Sequence, residues 1–340
     1  MILHLISSQS ARVFLGVPLC RDPEWLKISA EYPGTLFAAT HALRKYPPFL
    51  RRLVSPFLPQ IKQLREEEKI ASRIIESELQ RRRIERQQSK KEHEDKPVDS
   101  LEWIHEIAST KKRPYNVVLG QLALTLVALH TTSAALTNVM FDFTAHPDLI
   151  NEMRQEIIEV FGSVDIDDWK RTSLHRLRLM DSAMKESHRL NPPGVLGMRR
   201  IALANVTLSD GTVIPRDAPV AVSTNAMQDP EVYDNPDHFD GHRFLRLREQ
   251  TGHENKWQFV TTSPEMFSFG HGQHACPGRF FAGDEMKIAL VYLLMKYDWK
   301  FVGDKQGVEA TPKRVTRVEQ YMPDQTVRLM YRSREPEINL

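Results

Sequence analysis

The residues best suited to chemistry are concentrated in one nine-residue segment: Gly270, His271, Gly272, His274, Cys276 and Gly278. Glycine is favoured where the backbone takes a positive φ or must approach a ligand closely. Cys276 comes just before a predicted helix, whose dipole and free N–H groups favour a thiolate. A thiolate in a glycine-rich turn is a soft, anionic metal ligand, so the segment is a candidate metal site.

Three interpretations of this segment compete on the residues alone. A zinc site of His271, His274 and Cys276 is chemically possible, although its ligands are crowded and no fourth ligand is obvious. A dinucleotide-binding loop is disfavoured because the third glycine lacks the required offset and no βαβ unit surrounds it. A tight turn around a buried free thiol is the ordinary expectation for a lone cysteine. The three glycines, Phe269 and the following helix weigh against that last alternative.

The run FGHGQHACPG, residues 269–278, resembles the haem-binding loop of the cytochrome P450 superfamily, with its spacing Phe-x-x-Gly-x-x-x-Cys-x-Gly. Its spelling is close to that of fungal members. The resemblance implies haem b, with Cys276 as the axial thiolate on iron and Gly278 in the same cofactor-binding loop. It also implies that Phe269 packs beside the thiolate and that His274 lies near a haem propionate. A thiolate pushes electron density onto iron and favours O–O cleavage.

Glu186 and Arg189 stand three residues apart on a predicted helix and therefore share one face. Taken alone, such a pair is usually a surface ion pair of little energy. Downstream, the segment FDGHRF (239–244) resembles the Pro-Glu-Arg-Phe segment of the family, with Gly and His in place of Pro and Glu. The resemblance implies a buried triad of Glu186, Arg189 and Arg243 that holds the haem loop in shape. A planar guanidinium suits this role because it binds a carboxylate through two parallel hydrogen bonds.

Three hydroxyl side chains follow His130 inside a predicted helix, beginning with Thr131. Such residues bond back to carbonyls one turn earlier, which can bend a helix and admit water. A polar segment facing solvent is the alternative, and the nearby leucines weigh against it. In position the segment resembles the oxygen-activation stretch of the family, which implies that Thr131 guides protons to dioxygen. His130 stands where the family usually has an acid, and a histidine can also shuttle protons near neutral pH.

Arg200 resembles the propionate-binding arginine of the family, although Arg199 could take its place. The preceding residues, Leu196 to Met198, either line a substrate pocket or belong to the core. Both alternatives stay open at this stage.

Hydrophobic periodicity predicts the elements that must position these residues. The predicted helices cover 60–86, 116–144, 151–161, 174–190 and 280–294, and prolines cut the first hundred residues into shorter pieces. Short predicted strands cover 198–203, 206–208, 213–214 and 220–222, with a hairpin signal at 209–211. Helices first and a small sheet late predict a mainly α, α+β chain. The resemblance implies the cytochrome P450 fold.

Composition narrows the class of protein. The 340 residues are 41% hydrophobic and 26% charged, which excludes collagenous, disulfide-scaffold and largely disordered chains. The net charge of +2 excludes a nucleic-acid binder by bulk electrostatics. Two cysteines, Cys20 and Cys276, are too few for a disulfide framework. The charged stretch 81–97 is predicted to be a solvated helix end and loop.

No signal peptide or membrane span is predicted. The apolar runs near Met1 are too short, and the longest apolar stretch, 117–129, contains Gly, Gln and Thr, as expected of a core helix. The sequence therefore predicts a soluble chain, whereas members of the family usually sit at the endoplasmic reticulum membrane.

The resemblance extends over nearly the whole chain and predicts a single domain over 1–340. A helical front part covers 1–115, the distal helix to the K-like helix covers 116–190, and the strands, haem loop and last helix cover 191–340. The family's usual anchor, front sheet lobe and early helices are not found ahead of Met1. An incomplete domain would leave apolar surface uncovered, so we expect poor solubility, substoichiometric haem and little hydroxylation.

The resemblance implies a haem-thiolate monooxygenase that catalyses RH + O2 + 2 e− + 2 H+ → ROH + H2O, with the cofactor performing the hardest step. The implied substrate is an apolar small molecule, as in fungal secondary-metabolite biosynthesis. No flavin or nicotinamide motif is present, so the implied electron donor is NADPH-cytochrome P450 reductase, docking on a basic face near Arg279. Two alternatives stay open: a haem-binding remnant without turnover, and a haem-thiolate isomerase or dehydratase that needs no reductase.

Overall fold

A computed structural model describes residues 1–88, 96–111, 114–303, 307, 312, 315–317 and 319–340, with residues 316 and 317 described by their backbone only. The chain forms two compact units, Met1–Ser133 and Ala134–Leu340. The boundary between them falls within one long helix, α6.

The helices of the described residues, in chain order, are Ile2–Phe14 (α1), Pro23–Arg44 (α2), Pro48–Val54 (α3), Pro59–Gln88 (α4), Ser100–Lys111 (α5), Val117–Ala145 (α6), Pro147–Phe161 (α7), Arg171–Leu174 (α8), Arg178–Leu190 (α9), Arg243–Arg248 (α10) and Arg279–Lys296 (α11). Four of them, α2, α3, α4 and α7, begin at a proline, whose missing N–H has no partner to lose at that position. Asp22 caps α2 by accepting a hydrogen bond from the Trp25 backbone N–H at 2.8 Å.

The strands come late in the chain and form small antiparallel pairs. They are Leu196–Ile201 (β1), Val206–Thr207 (β2), Val213–Ile214 (β3), Pro219–Ser223 (β4), Tyr297–Phe301 (β5), Val315–Arg317 (β6), Gln320–Met322 (β7) and Leu329–Ser333 (β8). The pairs are β1–β4, β2–β3, β5–β8 and β6–β7. This order of elements confirms the predicted mainly α fold class. Gly211 turns the β2–β3 hairpin at φ +86°, as its sequence predicts.

The prediction for residues 174–190 is wrong at the start of the helix. The expected helix over 174–190 is divided into the four-residue α8 and a separate α9 that begins at Arg178. The start of α9 is fixed by Glu156 on α7, whose two carboxylate oxygens accept hydrogen bonds from Leu179 N at 2.6 Å and Met180 N at 3.0 Å. Burial raises the pKa of this carboxyl, and the backbone N–H groups oppose that shift. A cap from another helix leaves no signal in the local sequence.

The prediction for the charged stretch 81–97 is wrong in part. Residues 89–95 lie outside the described residues, so the prediction of a solvated loop there stays untested. Arg82, however, is buried and forms ion pairs with Glu78 and Asp99, both at 2.7 Å. Its Nη2 also donates to the Leu15 carbonyl oxygen at 3.0 Å. The prediction of a solvated side chain is therefore wrong for Arg82, which links α4 to the end of α1 and the start of α5.

The second unit contains a helix, α9, that is buried over nearly its whole length. Every residue of α9 from Leu179 to Leu190 is buried. A neighbouring apolar cluster contains Met227, Tyr233, Phe244, Met266 and Phe267. Charged residues on α9 therefore need partners inside the protein, because an isolated buried charge is costly.

Among the described residues, Val117–Ala145 is the one helix long and apolar enough to cross a membrane. In its most apolar 18-residue window, 39% is buried. A core helix of a soluble protein has the same length and composition, so this helix is weak evidence for a membrane span.

Candidate functional site

The loop before α11 presents one cysteine at the surface. Gly270 and Gly272 both take φ near +70°, a conformation that L side chains rarely adopt. The Cys276 N–H donates to the Phe269 carbonyl oxygen at 2.7 Å, which closes the turn. Cys276 is an exposed free thiol, two residues before the Gly278 cap of α11. The turn therefore holds a thiol at a helix N-terminus with its sulfur accessible.

Arg279, the first residue of α11, braces this turn from inside. Its Nε donates to the Val260 carbonyl oxygen at 3.0 Å, and its Nη1 donates to the Cys276 carbonyl oxygen at 2.8 Å. The guanidinium also lies 4.4 Å from the centre of the Phe280 ring. Arg279 thus has a structural role within the loop.

The loop is tied to α9 through aromatic rings. The Phe269 ring lies 5.2 Å from the ring of Phe259 and 4.6 Å from that of His188, measured between centroids. The Ser268 hydroxyl donates to the His188 carbonyl oxygen at 3.0 Å. Because α9 is buried from Leu179 to Leu190, these contacts attach the turn to the interior of its unit.

Two methionine sulfurs accept hydrogen bonds from the same loop. The His271 N–H lies 3.1 Å from Met198 Sδ, and the Phe267 N–H lies 3.3 Å from Met227 Sδ. Met198 takes φ +52°, in the stretch where the β1–β4 register shifts between Gly197 and Arg200. Met198 also packs against the buried cluster around Phe267, which favours the core alternative for this residue.

The structure distinguishes the two neighbouring arginines of β1. Arg199 forms an ion pair with Glu319. Arg200 is exposed, donates to the Arg199 carbonyl oxygen at 2.7 Å, and forms no ion pair with any described residue. Arg200 is therefore the better placed of the two to bind an anionic group from outside the chain.

Glu186, Arg189 and Arg243 meet in the interior. The two Glu186 oxygens accept Nε and Nη2 of Arg189, both at 2.8 Å, and Oε1 also accepts Nε of Arg243 at 3.0 Å. Glu186 and Arg189 are fully buried, and Arg243 is 6% exposed. The bidentate geometry is the one expected for a guanidinium and a carboxylate.

The remaining guanidinium donors of this triad close the segment between β4 and α10. Arg189 donates to the carbonyl oxygens of Met227 and Pro236 at 2.9 and 2.7 Å, and Arg243 donates to that of Asp234 at 2.6 Å. The Arg189 guanidinium also lies 4.8 Å from the centre of the Tyr233 ring. One buried carboxylate therefore organises the chain that leads to the cysteine loop.

Thr131 and His130 point to different environments on α6. Thr131 is exposed, and its hydroxyl donates to the Val127 carbonyl oxygen one turn earlier at 2.8 Å. His130 is half-buried, and its Nε2 lies 3.1 Å from the Ala30 carbonyl oxygen on α2. The exposed side of α6 bearing Thr131 also carries Leu119, Ala123 and Val127, whereas Leu122 and Leu129 are buried. The expectation that the leucines keep the whole segment from solvent is therefore wrong for Thr131.

The donor set at the loop fits haem better than zinc. Among the described residues, no group of three or more His, Cys, Asp and Glu side chains is placed to hold a metal ion. His271 Nδ1 lies 3.0 Å from the Thr262 hydroxyl. A single accessible thiol suits a metal that brings its other ligands in a macrocycle. The loop also has room on one side, since a Cβ on Gly272 would meet nothing within 4 Å.

Comparisons with known proteins identify the family of the chain. The cytochrome P450 family model matches residues 3–322, so the chain belongs to the cytochrome P450 family. Members of this family carry haem iron. The match confirms the family that the sequence motifs indicate.

Curated relatives of similar sequence are fungal. The chain is 42% identical over 340 residues to cytochrome P450 monooxygenase calE of Penicillium decumbens, covering 100% of this chain and 64% of that protein. It is 44% identical over 302 residues to cytochrome P450 monooxygenase hepE of Aspergillus oryzae, covering 88% of this chain and 54% of that protein. The chain thus spans about 54–64% of the length of these relatives.

A solved structure shows the same fold. Cyanobacterial CYP120A1 with bound retinoic acid superposes with a TM-score of 0.69 over 98% of this chain and 68% of that one, at 19% identity. At this identity the likeness concerns the fold alone.

His188 is a site-supporting residue that the sequence analysis missed, although it lies between Glu186 and Arg189 in the same motif. Burial, and secondarily the charge of Lys185, lowers the pKa of His188 to about 3. Its Nδ1 has no hydrogen-bond partner among the described residues. The ring is therefore neutral in the folded protein and packs against the ring of Phe269.

We expect acid to destabilise the protein through His188. Below about pH 6.5 the unfolded chain takes up a proton at His188 that the folded protein refuses until about pH 3. Unfolding therefore becomes easier as pH falls through this window, by about 1 kcal/mol between pH 6 and pH 5. In urea titrations, His188→Phe, which keeps the ring, should lose about 1 kcal/mol less than the wild type across that interval.

The matched control is His175→Phe, which changes an exposed ring in the same unit and should retain the wild-type pH dependence. An equal loss of stability in His188→Phe and the wild type would show that His188 is not held neutral in the folded chain.

Proposed function

We propose that this chain forms the haem-binding part of a monooxygenase that inserts one oxygen atom of O2 into an apolar small molecule. The observation that carries the proposal is the accessible Cys276 thiol in a glycine-rich turn at the N-terminus of α11. The names of the fungal relatives support the reaction type. The overall reaction is RH + O2 + 2 e− + 2 H+ → ROH + H2O.

The residues that would hold haem b belong to the second unit. Cys276 supplies the thiolate, with Phe269 behind it and Gly278 at the helix start. The N-terminal dipole of α11 stabilises negative charge on the sulfur. Arg200 and His274, both exposed, would bind the propionates. Bound haem supplies the iron chemistry that activates dioxygen.

The proposed role of Thr131 is to pass protons at its Oγ1 atom. Its hydroxyl hydrogen is directed to the Val127 carbonyl oxygen, and the lone pairs of its oxygen can accept a hydrogen bond from a proton donor. The side chain is exposed on an otherwise apolar strip of α6. Each turnover consumes two protons, so a hydroxyl relay on this face has a chemical task. The apolar neighbours also favour an apolar substrate.

The electrons are proposed to come from NADPH-cytochrome P450 reductase at the endoplasmic reticulum membrane, as is usual for the family. A direct test combines the haem-reconstituted chain with this reductase, NADPH, ¹⁸O2 and a library of terpenoids. One ¹⁸O atom in a product, formed only with NADPH, supports the proposal. Substrate conversion without NADPH would instead identify an isomerase or dehydratase, and haem binding without any conversion would identify a remnant.

We expect Thr131→Ala to separate electron use from product formation. NADPH consumption should continue, while the yield of hydroxylated product per NADPH falls about a hundredfold, the lower end of the range typical for a general acid–base group. The lost electrons should appear as hydrogen peroxide, since O2 + 2 e− + 2 H+ gives H2O2. The measurement is product and peroxide per NADPH in the same assay.

Thr131→Ser is the matched control because it keeps the hydroxyl, and it should recover most of the yield. Equal yields in the wild type and Thr131→Ala would remove Thr131 from the proton route.

A further inference from the structure

A hydrogen bond joins α6 to the middle of α2 across 100 residues of sequence. His130 Nε2 lies 3.1 Å from the carbonyl oxygen of Ala30. Because a carbonyl oxygen only accepts, Nε2 must carry the hydrogen and donate it. Both residues lie within the first compact unit.

The carbonyl that His130 binds belongs to a weakened turn of α2. Pro33 lies inside this 22-residue helix, and a proline cannot donate the hydrogen bond that the Ser29 carbonyl would normally receive. A proline ring inside a helix also crowds the carbonyl four residues earlier, which here is that of Ser29. Gly34 follows immediately, and its low helix propensity weakens the turn further. Ala30 lies in the turn that ends at this Pro–Gly pair.

Side chains on either side of Pro33 attach α2 to two other helices. Before Pro33, the hydroxyls of Ser7 and Ser29 are 2.6 Å apart, which ties α2 to α1. After it, the Thr35 hydroxyl donates to Glu67 Oε1 at 2.7 Å, which ties α2 to α4. The bond from His130 attaches the turn between these two points to α6.

We propose that His130 is a positioning residue, which holds the turn of α2 before Pro33 against α6 beside Thr131, and that it does not carry protons for the reaction. The Nε2–H of His130 donates to a carbonyl oxygen of another helix, whereas the Thr131 hydroxyl bonds back within α6 and lies on the exposed side of that helix. The structural part of this inference stands on its own. Its consequence for turnover rests on the proposed function.

The chemistry of residue 130 separates the two roles. Glutamine also offers an N–H donor to the Ala30 carbonyl but does not titrate. Leucine fills similar space without a donor. Aspartate, the type of residue usual for the family at this position, would place a second acceptor against the carbonyl oxygen.

The primary test is amide hydrogen exchange by mass spectrometry on the purified chain, which needs no haem or substrate. In His130→Leu, exchange in residues 28–38 should rise about fivefold, the factor expected for the net loss of one hydrogen bond. His130→Gln should restore protection close to the wild-type value. Peptides from α11 should exchange equally in all three proteins, which controls for global destabilisation.

A double substitution sharpens this test. Pro33→Ala returns an N–H to the weakened turn, so adding His130→Leu to it should raise exchange by much less than fivefold. Unchanged exchange over 28–38 in His130→Leu, or an equal increase with and without Pro33→Ala, would overturn the proposal.

Turnover supplies the second arm. If His130 acts by position, the product yield per NADPH lost in His130→Leu is restored in His130→Gln. If it carries protons, His130→Gln fails to restore the yield although protection of α2 is normal, and the proposal is overturned. A wild-type chain that makes no product would contradict the proposed function, while the exchange arm would still decide whether His130 holds α2.

Discussion

Glu186→Ala is expected to prevent stable folding of the second unit, because it leaves the guanidinium groups of Arg189 and Arg243 buried without their carboxylate. Removing one partner of a buried ion pair typically costs about 3–5 kcal/mol, a large part of the stability of an ordinary domain. Arg189→Ala should cost a similar amount, since it strands the carboxylate. The measurement is urea unfolding followed by circular dichroism.

Glu152→Ala is the matched control, since Glu152 is exposed and its carboxylate lies 2.8 Å from His242 Nε2 near the surface. Its effect should stay below about 1 kcal/mol. A Glu186→Ala chain that unfolds at the wild-type urea concentration and binds haem normally would show that the triad does not support the cysteine loop.

Cys276→Ser is expected to abolish thiolate ligation while leaving the fold intact. The side chain is exposed, so the substitution leaves no cavity and strands no buried charge. A serine hydroxyl is not a soft anionic ligand, and iron should therefore lose its axial sulfur. Electron paramagnetic resonance of the ferric, haem-reconstituted protein reports this ligand directly, and the low-spin thiolate signal should disappear.

The control is Cys20→Ser, which alters the other cysteine. Cys20 is 7% exposed in the short helical turn after α1, so its replacement changes packing but no predicted iron ligand. It should retain the thiolate signal. A thiolate signal that persists in Cys276→Ser, or that is lost in Cys20→Ser alone, would show that Cys276 is not the iron ligand.

The cysteine loop could be predicted from sequence because its determinants are local. Gly270 and Gly272 permit the turn, and Cys276 immediately precedes a helix. The pairing of Glu186 with Arg189 is likewise local, since residues three apart share a helix face. Arg243 stands 54 residues beyond Arg189, and only the resemblance of its segment to a known motif indicated that it would join them.

Contacts that depend on tertiary packing left no such signal. The cap that Glu156 places on α9, the sulfur of Met198 beside the His271 N–H, and the bond from His130 to Ala30 all join elements distant in sequence. Their donors and acceptors are ordinary for their residue types. The spacing of these residues in the sequence does not indicate that they are in contact. Patterns within one helix or one strand therefore cannot predict these contacts.

The side chain of His130 shows what this limit means for function. By type and position the sequence favoured a proton carrier, because histidine titrates near neutral pH. In the structure, Nε2 of His130 instead lies 3.1 Å from the Ala30 carbonyl oxygen, in the turn of α2 before Pro33. A role inferred from residue type alone can thus change once the partner of each nitrogen is known.

We propose that Cys276 ligates haem iron as a thiolate, and this proposal predicts the carbon monoxide difference spectrum of the reduced, haem-reconstituted chain. Normalised to bound haem, the spectrum should show the band typical of thiolate-ligated haem, and Cys276→Ser should lack it. A folded protein that binds haem but gives the band of a histidine-ligated or unligated haem, or a Cys276→Ser protein that keeps the thiolate band, would contradict the claim.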